Sequence, residues 1–499
     1  MASVENIPQA DIPAVEFTPL DYIPTVIQEV RTTFNSGLTK PLAYRKEQLK
    51  GIYNMIAENE TLIREASYLD LRKPPQELVL SEIGIIKHEC VDAIENLNRW
   101  ATPEKVKVSL INKFDDIHIR KDPLGVVLII GAWNYPLNLL LIPAIGAIAA
   151  GNAVVFKPSE LAPHVANLFT KLLPKYLDQR SYRVINGAAN ETTALLALKF
   201  DHIFYTGSGN IGRIIMTAAA KQLTPVTLEL GGKSPAFVAK DGDLHAVARR
   251  LVIGKFFNGG QSCIAPDYLI VERGIERELV NEMKKTLLEF YGASPQTSQS
   301  YNRIINKNHF NRIVRILENT QGEVVVGGDS QLSDLYIAPT LVLGVSADDS
   351  LMQEEIFGPV LPIMVVDSLE QGIEYVSSGD QPLALYIFSE NKKLINHILN
   401  NTRSGSAVVN ETLIQFTMSA LPFGGTGPSG IGAYHGKTSF DIFSHQRSTI
   451  IKSLGMERFN AIRYPPYSEK KTSWLDWLLY SKAKYSANAA NPGASSAKL

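Results

Sequence analysis

A cysteine that follows a glycine-rich polar turn is the sharpest chemical signal in this 499-residue chain. Cys263 ends the segment FNGGQSC, whose glycines and polar side chains predict a tight backbone and an exposed thiol. Cysteine more often fills a protein core as a small apolar residue, which we predict for Cys90 in its helical stretch. The surroundings of Cys263 favour a nucleophile instead, and a nucleophilic thiolate requires a nearby base.

A candidate base is Glu229, which stands at the end of an apolar run and before two glycines. Burial at the end of a strand raises the pKa of a carboxyl and suits it to proton abstraction. The alternative is a structural carboxylate that pairs with Lys233. The spacing alone supports both interpretations equally.

The segment GSGNIG at residues 207–212 has the glycine pattern of a phosphate-binding turn. It follows the strand-like residues 202–206 and opens a helix-like run, which is the context that such a turn requires. The glycines could instead serve only close packing of a helix on a strand. In the phosphate-binding pattern an acid about 20 residues further on binds ribose, and here that acid would be Glu229. Local pattern therefore assigns Glu229 two incompatible roles and does not decide between them.

Other polar groups also stand where apolar runs end. Lys157 and Glu160 follow residues 153–156, and side chains at the carboxyl end of a parallel strand lie where α/β sheets bind ligands. Their alternative is a surface ion pair. Asn134 lies in a turn, where its amide either caps the following helix or points into a cleft and stabilises an oxyanion.

The order of apolar runs indicates the fold class. The first hundred residues have helical periodicity, and from about residue 125 short β-rich runs alternate with helical stretches as far as residue 409. Such alternation predicts an α/β fold with two doubly wound domains. Residues 123–156 carry no charge and are long enough to span a bilayer. Because Asn, Pro and Gly interrupt them, we predict a buried strand, turn, helix and strand instead.

Composition excludes several classes of function. A net charge of -1 argues against binding to nucleic acid or anionic lipid through a broad basic surface. Two cysteines make neither a disulfide framework nor a thiolate zinc site, and we predict no metal. The N-terminus lacks the features of a secretory signal. We expect an intracellular protein, either cytoplasmic or peroxisomal, since the final Ala-Lys-Leu is one residue from a peroxisomal address or is a chance tripeptide.

Seven motifs in this order resemble the aldehyde dehydrogenase superfamily. They are GAWNYP (131–136), FKPSE (156–160), FYTGS (204–208), LELGGK (228–233), GQSC (260–263), EIFGP (355–359) and PFGG (422–425). CIAPD (263–267), GAYHGK (432–437) and RYPP (463–466) resemble the class 3, fatty-aldehyde branch of that superfamily. The chain departs from the branch where no apolar membrane anchor follows residues 474–480. This short aromatic run predicts an amphipathic helix that lies either on the protein itself or on a membrane surface, as a peripheral contact.

The resemblance implies a role for each candidate residue. Cys263 would be the nucleophile, Glu229 the general base and Asn134 the oxyanion donor. The implied cofactor-binding residues are Lys157 and Glu160 at the ribose, Gly207 and Ser208 near the pyrophosphate, Trp133, and Glu355 and Phe357 at the nicotinamide end. The expected substrate pocket includes Tyr135, Tyr434 and His435. A carboxylate at the ribose favours NAD, with NADP as the alternative.

The implied activity is NAD(P)-dependent oxidation of medium- to long-chain aliphatic aldehydes to carboxylic acids, through a cysteine thiohemiacetal and a thioester. The alternatives are the same chemistry on an apocarotenal or aromatic aldehyde, or a cofactor-independent thioester hydrolase. We expect a homodimer with a small antiparallel oligomerisation arm. The implied domains are a cofactor domain (1–108 and 123–230), a catalytic domain (231–405), the arm (109–122 and 406–452) and a C-terminal extension (453–499) with a gate helix and a tail.

Overall fold

A computed structural model describes residues 15–108, 112, 115–455 and 457–480. They form two compact units. The first comprises the described residues up to Trp100 together with Asp122–His445, and the second comprises Ala101–Lys121 together with the described residues from Gln446 onward.

Helices dominate the N-terminal hundred residues, as their periodicity predicts, and alternate with strands thereafter. The helices of the described residues are α1 (Ile23–Asn35), α2 (Leu42–Glu58), α3 (Glu60–Leu71), α4 (Pro75–Leu78), α5 (Gly84–Ala101), α6 (Asn138–Ala150), α7 (Pro163–Tyr176), α8 (Ala189–Leu196), α9 (Gly209–Ala220), α10 (Leu244–Phe256), α11 (Glu276–Tyr291), α12 (Lys307–Glu318), α13 (Leu369–Ser378), α14 (Lys392–Asn401), α15 (Gly436–Ile442), α16 (Glu457–Asn460) and α17 (Glu469–Tyr480). A π-helical turn, Val79–Ile83, joins α4 to α5.

The strands fall into two large sheets and two small ones. They are β1 (Glu104–Lys105), β2 (Asp116–Pro123), β3 (Val126–Ile130), β4 (Ala153–Lys157), β5 (Tyr182–Val184), β6 (His202–Thr206), β7 (Val226–Glu229), β8 (Pro235–Val238), β9 (Tyr268–Glu272), β10 (Glu323–Val326), β11 (Ser330–Gln331), β12 (Tyr336–Ile337), β13 (Thr340–Leu343), β14 (Val360–Val366), β15 (Ala384–Phe388), β16 (Ser406–Val409), β17 (Gly430–Ile431) and β18 (Ser444–Ile451).

The first large sheet has the order β17-β7-β6-β3-β4-β5. All of its neighbouring strands are parallel except β17, which pairs antiparallel with β7. Every residue of β3, β4 and β6 is buried, as expected of strands covered on both faces. The chain order reverses between β3 and β6, and ligands of doubly wound sheets bind beside such a reversal, at the carboxyl ends of the strands.

The second large sheet has the order β10-β13-β14-β9-β8-β15-β16. Its strands are parallel except for the edge strand β10, which runs antiparallel to β13. The prediction of two doubly wound α/β sheets is therefore confirmed. The uncharged stretch 123–156 folds as predicted into β3, a turn, α6 and β4, and α6 is buried on every side. None of the helices within the described ranges is long and apolar enough to cross a membrane.

The second unit contains a three-stranded sheet in the order β1-β2-β18, in which β1 and β2 are antiparallel. The predicted arm starts too early at residue 406, because β16 pairs in parallel with β15 and β17 completes the first large sheet. The oligomerisation role of the arm and the other domain assignments stay predictions. The aromatic run near the C-terminus is helical, as predicted, within α17. The final tripeptide, residues 497–499, lies outside the described residues.

The packing of α6 against α15 generates a test of the fold. A Cβ on Gly146 would lie 2.2 Å from the Cβ of Ser439 and 2.9 Å from its carbonyl carbon. Alanine stabilises an exposed helix by about 1 kcal/mol relative to glycine, whereas overpacking a core typically costs about 1–3 kcal/mol. We expect overpacking to outweigh propensity, so that Gly146→Ala lowers the Tm in differential scanning calorimetry. A raised Tm would show that the two helices separate at little cost.

Candidate active site

Candidate residues meet at the carboxyl ends of the parallel strands in the first large sheet. Thr206 ends β6, Glu229 ends β7 and Lys157 ends β4, while Asn134 lies in the turn between β3 and α6. Parallel pairing of β6 with β7 places Thr206 opposite Glu229. The sheet topology therefore gathers side chains that are far apart in the sequence.

The thiol of Cys263 follows a turn with unusual backbone geometry. Asn258, Gly259 and Gly260 have φ values of 54°, 62° and 74°, so three successive residues are left-handed. A Cβ on Gly260 would lie 2.3 Å from the carbonyl oxygen of Gly358, so only glycine fits there. Glu77 holds this turn by accepting a hydrogen bond from the backbone N–H of Asn258 at 3.0 Å. The glycine-rich sequence thus encodes a tight turn that leaves Cys263 half-buried.

Two cavities meet at Cys263. The first, which we call the apolar cavity, has a volume of about 200 Å³ and a wall made mostly of aliphatic and aromatic side chains. The second, which we call the polar cavity, extends along the carboxyl ends of β6 and β7. Thr206, Glu229 and Cys263 line both cavities. A molecule in either cavity therefore reaches the thiol.

The carboxyl group of Glu229 is buried without a counter-ion. The residue is 2% exposed, and neither carboxyl oxygen has a hydrogen-bond partner among the described residues. Desolvation raises the pKa of Glu229 well above its ordinary value. The alternative pairing with Lys233 is absent, because Lys233 Nζ lies 2.7 Å from Asp267 Oδ2. In its ionised form, Glu229 is consequently a stronger proton acceptor than an exposed glutamate.

The environment of the thiol is also apolar and carries nearby acids. Burial raises the pKa of Cys263, and the negative charges of Glu355 and Glu229 raise it further. Backbone N–H groups of Cys263 and Ile264 oppose this effect through hydrogen bonds to the sulfur. Formation of the thiolate thus needs either a base or additional positive charge in the site.

The amide of Asn134 contacts the turn that carries the thiol. Its Nδ2 donates to the carbonyl oxygen of Gln261 at 3.1 Å, and the residue lines the polar cavity beside Cys263. An amide nitrogen has two N–H groups, so the second remains for a ligand. Asn134 does not cap α6, because the backbone N–H groups of Leu137 and Asn138 are bound by Glu82 instead.

Several groups of the polar cavity suit a phosphate-containing ligand such as a dinucleotide. Ser208 is the N-cap of α9 and makes no side-chain capping bond, so the first N–H groups of this helix can bind a phosphate. Two buried polar atoms of cavity residues, Thr206 Oγ1 and His309 Nδ1, have no partner within the part of the chain that the structure describes. Such atoms are normally satisfied, which indicates that a polar ligand completes them.

Aromatic rings and one carboxyl close the polar cavity near the thiol. The ring of Trp133 lies 5.3 Å from that of Phe357 and 5.0 Å from that of His309, measured between centroids. Burial raises the pKa of Glu355 to about 8, and the negative charge of Asp267 adds to the effect. A flat ring could stack in this space.

The segment that carries Glu355 and Phe357 is fixed by three charged side chains. Arg312 donates to the carbonyl oxygens of Glu355 at 3.2 Å and of Ile356 at 2.6 Å. Lys233 donates to the carbonyl oxygen of Glu354 at 3.0 Å, and Asp267 accepts from the N–H of Ile356 at 3.1 Å. Asp267 follows Cys263 by four residues, so it ties the thiol loop to the opposite wall.

Lys157 and Glu160 form a separate cluster at the end of β4. Lys157 Nζ donates to Glu160 Oε2 at 2.6 Å, and the lysine is 4% exposed, so this is not a surface ion pair. The charge of Glu160 also reaches Tyr205, whose hydroxyl donates to the carbonyl oxygen of Ser208 at 3.3 Å. The cluster therefore lies on the Ser208 side of the polar cavity.

The expected substrate-pocket residues divide into two groups. Tyr135 and Tyr434 line the apolar cavity, as do the rings of Phe416 and Phe423. His435 lies behind this wall rather than on it: the residue is 1% exposed, with Nδ1 3.1 Å from Glu89 Oε1. Its positive φ of 84° turns the chain away from the cavity after Tyr434.

Sequence patterns missed several residues of the site. Thr206 lies in the motif FYTGS but has no predicted role, and His309 lies outside all the motifs. Glu77 has its effect through a contact 181 residues along the chain. Cys90 is fully buried, as predicted for a core thiol, and burial raises its pKa. Within the described ranges, no group of three or more His, Cys, Asp and Glu residues is arranged to hold a metal ion.

Comparisons with known proteins give a consistent result. The model for the aldehyde dehydrogenase family matches residues 15–449. Aldehyde dehydrogenase family 3 member A2 of Macaca fascicularis is 49% identical over 91% of this chain and 93% of its own length. The dimeric NADP-preferring aldehyde dehydrogenase of Mus musculus is 48% identical over 90% of this chain and 98% of its own length. A substrate-bound structure of Staphylococcus aureus AldH has a TM-score of 0.89 at 41% identity and covers 91% of this chain and 98% of its own.

These similarities extend over nearly the whole length of the described chain and include both large sheets. The chain therefore belongs to the aldehyde dehydrogenase family, and it is an enzyme that oxidises aldehydes with NAD or NADP.

Proposed function

We propose that this enzyme oxidises medium- to long-chain aliphatic aldehydes to carboxylic acids, with Cys263 as the nucleophile, Glu229 as the general base and Asn134 as the oxyanion donor. The observation that carries the proposal is the position of Cys263 and Glu229 at the junction of the apolar and polar cavities. An aldehyde with an apolar tail can approach the thiol from the apolar cavity. A dinucleotide can approach the same thiol from the polar cavity.

The first step is addition of the Cys263 thiolate to the aldehyde carbon. This forms a C–S bond and moves the carbonyl electron pair onto oxygen, giving a thiohemiacetal oxyanion. The free N–H of the Asn134 amide can donate to that oxygen, since its other N–H is bound to Gln261. A preorganised donor in a dry site stabilises developing charge strongly.

The thiohemiacetal carbon becomes a thioester by losing a hydride as the carbonyl bond re-forms, and a bound nicotinamide dinucleotide would supply the acceptor for that hydride. The residues that would hold it are Ser208 and the first turn of α9 at the phosphates, Lys157 and Glu160 at a ribose, and Trp133, Glu355 and Phe357 around the nicotinamide. A carboxylate beside the ribose disfavours a 2′-phosphate by charge repulsion. NAD is accordingly the preferred cofactor in this proposal, with NADP accepted less well.

Glu229 then serves the hydrolysis of the thioester. In its ionised form it takes a proton from water, the hydroxide adds to the acyl carbon, and the C–S bond breaks to release the acid and the thiolate. The raised pKa of Glu229 makes the carboxylate a stronger base than an exposed glutamate. Because the protonated form is inactive as a base, deacylation should accelerate as the pH rises toward that pKa.

The apolar cavity supports an aliphatic substrate. Tyr135, Leu139, Phe257 and Phe416 line its wall, and Leu80 lines it with 56% of its surface exposed. Burying a methylene group contributes about 0.8 kcal/mol, so such a wall selects for chain length. A cofactor-independent thioester hydrolase would have no use for the polar cavity. The cavity therefore favours oxidation with a nicotinamide cofactor over hydrolysis alone.

We further propose a homodimer that contacts membranes through α17. One support is the name of the Mus musculus relative, which describes that protein as dimeric. The other is α17 itself, on which Trp474, Trp477 and Leu479 are more than half exposed. A helix with exposed tryptophans suits a membrane surface. A peroxisomal address at the C-terminus stays a prediction.

Replacing the base should separate the two halves of the reaction. With aldehyde and NAD, we expect Glu229→Gln to give a rapid burst of reduced cofactor followed by turnover about 10²–10⁴-fold slower than that of the wild type. Stopped-flow absorbance measures both phases. The steady rate of the wild type should rise with pH as the carboxylate of Glu229 forms, and this rise should lie at higher pH than for an exposed glutamate because burial raises the pKa of Glu229, whereas the rate of the variant should not follow it.

Cys263→Ala is the control for this experiment, since it should give neither phase while it still binds NAD in titration calorimetry. Turnover by Cys263→Ala would refute the nucleophile. Loss of the burst in Glu229→Gln would place Glu229 in activation of the thiol and exclude a role confined to deacylation.

Chain length should govern efficiency until the apolar cavity is filled. Across saturated aldehydes from C2 to C18, we expect kcat/KM to rise by up to about fourfold per methylene, the equivalent of about 0.8 kcal/mol, and then to level off. Leu80→Ser should lower kcat/KM for long chains more than for short ones. Leu62→Ser is the matched control, because Leu62 is 43% exposed on α3 and does not line the cavity. A flat profile would contradict an aliphatic substrate.

A further inference from the structure

A buried ion pair lies behind the turn that carries Asn134. Lys73 follows α3, and Glu82 lies in the π-helical turn Val79–Ile83. Lys73 Nζ is 2.8 Å from Glu82 Oε1, and both side chains are completely buried. Desolvation of two charges is costly, so a buried pair of this kind is weak evidence for stability alone. Single π-helical turns are rare and recur at functional sites.

Glu82 caps α6 from a distant part of the chain. The N-cap residue of α6 is Leu137, whose side chain cannot accept a hydrogen bond. Glu82 Oε2 instead accepts the N–H groups of Leu137 at 2.9 Å and Asn138 at 3.2 Å. In the same turn, the amide of Asn138 donates to the carbonyl oxygen of Ser81 at 2.8 Å. The start of α6 is thereby fixed to the π-helical turn.

Lys73 fixes the other end of the same turn. Its Nζ donates to the carbonyl oxygen of Asn134 at 2.9 Å and lies 4.4 Å from the ring centroid of Tyr135. The Asn134 oxygen also accepts from the side chain of Asn258 at 3.0 Å. A carbonyl oxygen has two lone pairs, so both are used. The peptide that follows Asn134 consequently has one direction, set by Lys73 on one side and by the thiol turn on the other.

We propose that Lys73 and Glu82 are positioning residues that aim the Asn134 amide at the aldehyde oxygen, an inference that rests on the role of Asn134 in the proposed function. Neither residue lines either cavity. They act through the turn at residues 134–138, which Glu82 holds at its helical end and Lys73 at its N-terminal end. A small rotation of this turn would leave Cys263, Glu229 and the Ser208 end of the polar cavity in place but would misdirect the free N–H of Asn134.

The test compares Glu82→Gln in the wild-type background and in Asn134→Ala. Glutamine keeps the shape of glutamate but removes the charge that pairs with Lys73. In the wild-type background we expect the hydride burst at saturating aldehyde to slow about 10- to 100-fold, with little change in the KM for NAD. In Asn134→Ala the same substitution should slow the burst less than about threefold, because residues that act as a unit are not additive.

Glu191→Gln is the matched control. Glu191 is a buried carboxylate that caps α8 by accepting the N–H of Ala188 at 2.8 Å, and α8 carries no residue of the proposed site. We expect it to lower the Tm and to leave the burst unchanged. Glu82→Asp, which keeps the charge but shortens the reach, provides a second variant and should give an intermediate loss of the burst rate.

The outcomes separate this inference from the proposed function. If Asn134→Ala leaves the burst unchanged, the oxyanion role itself is wrong. If Asn134→Ala slows the burst but Glu82→Gln slows it equally in both backgrounds, or not at all, the positioning role is overturned. Failure of both Glu82 variants to give folded protein by circular dichroism would make the ion pair a requirement of folding and would also reject the proposal.

Discussion

Two turns from different sheets have to meet at one point for this site to exist, and they meet at the carbonyl oxygen of Asn134. One turn leads from β3 into α6, and the other is the left-handed segment that precedes Cys263. Two side chains donate to this oxygen: Asn258 from the second turn, at 3.0 Å, and Lys73 from the helical first hundred residues of the chain, at 2.9 Å. Because the Asn134 amide also binds Gln261, main chain and side chain of the two turns are locked together. The thiol and the proposed oxyanion donor consequently have a fixed relation to each other.

Desolvation gives the fixed groups their chemical character. Glu229 is buried without a hydrogen-bond partner in the described residues, so its pKa is raised and it is suited to act as a base. The same burial raises the pKa of Cys263, and Glu355 adds negative charge nearby. A site of this kind disfavours a free thiolate when it holds no positive charge. A cationic partner in the polar cavity, such as an oxidised nicotinamide, would lower the pKa of the thiol and so favour the reaction.

The fold could be predicted from sequence further than the site. Alternation of apolar runs located most strands of the two large sheets, because buried parallel strands are continuously apolar and their ends are marked by turns. It located neither β13 nor β18. It could not show that residues 406–409 pair with β15, since pairing partners leave no local signal. Motifs identified Cys263 and Glu229. The roles of Lys73 and Glu82 could not be predicted, because the turn that they hold lies more than fifty residues along the chain and reaches them only through tertiary packing. The contact of His435 with Glu89, which takes His435 out of the substrate pocket, could not be predicted for the same reason.

The central claim is that catalysis passes through a covalent acyl group on Cys263 that Glu229 helps to remove. Peptide mass spectrometry of Glu229→Gln, quenched in acid within the burst after mixing with a C12 aldehyde and NAD, tests this claim most directly. The peptide that contains Cys263 should gain the mass of the acyl group, and it should gain none when NAD is omitted. An acyl group on the peptide that contains Cys90, or none on either peptide while reduced cofactor accumulates, would contradict the claim.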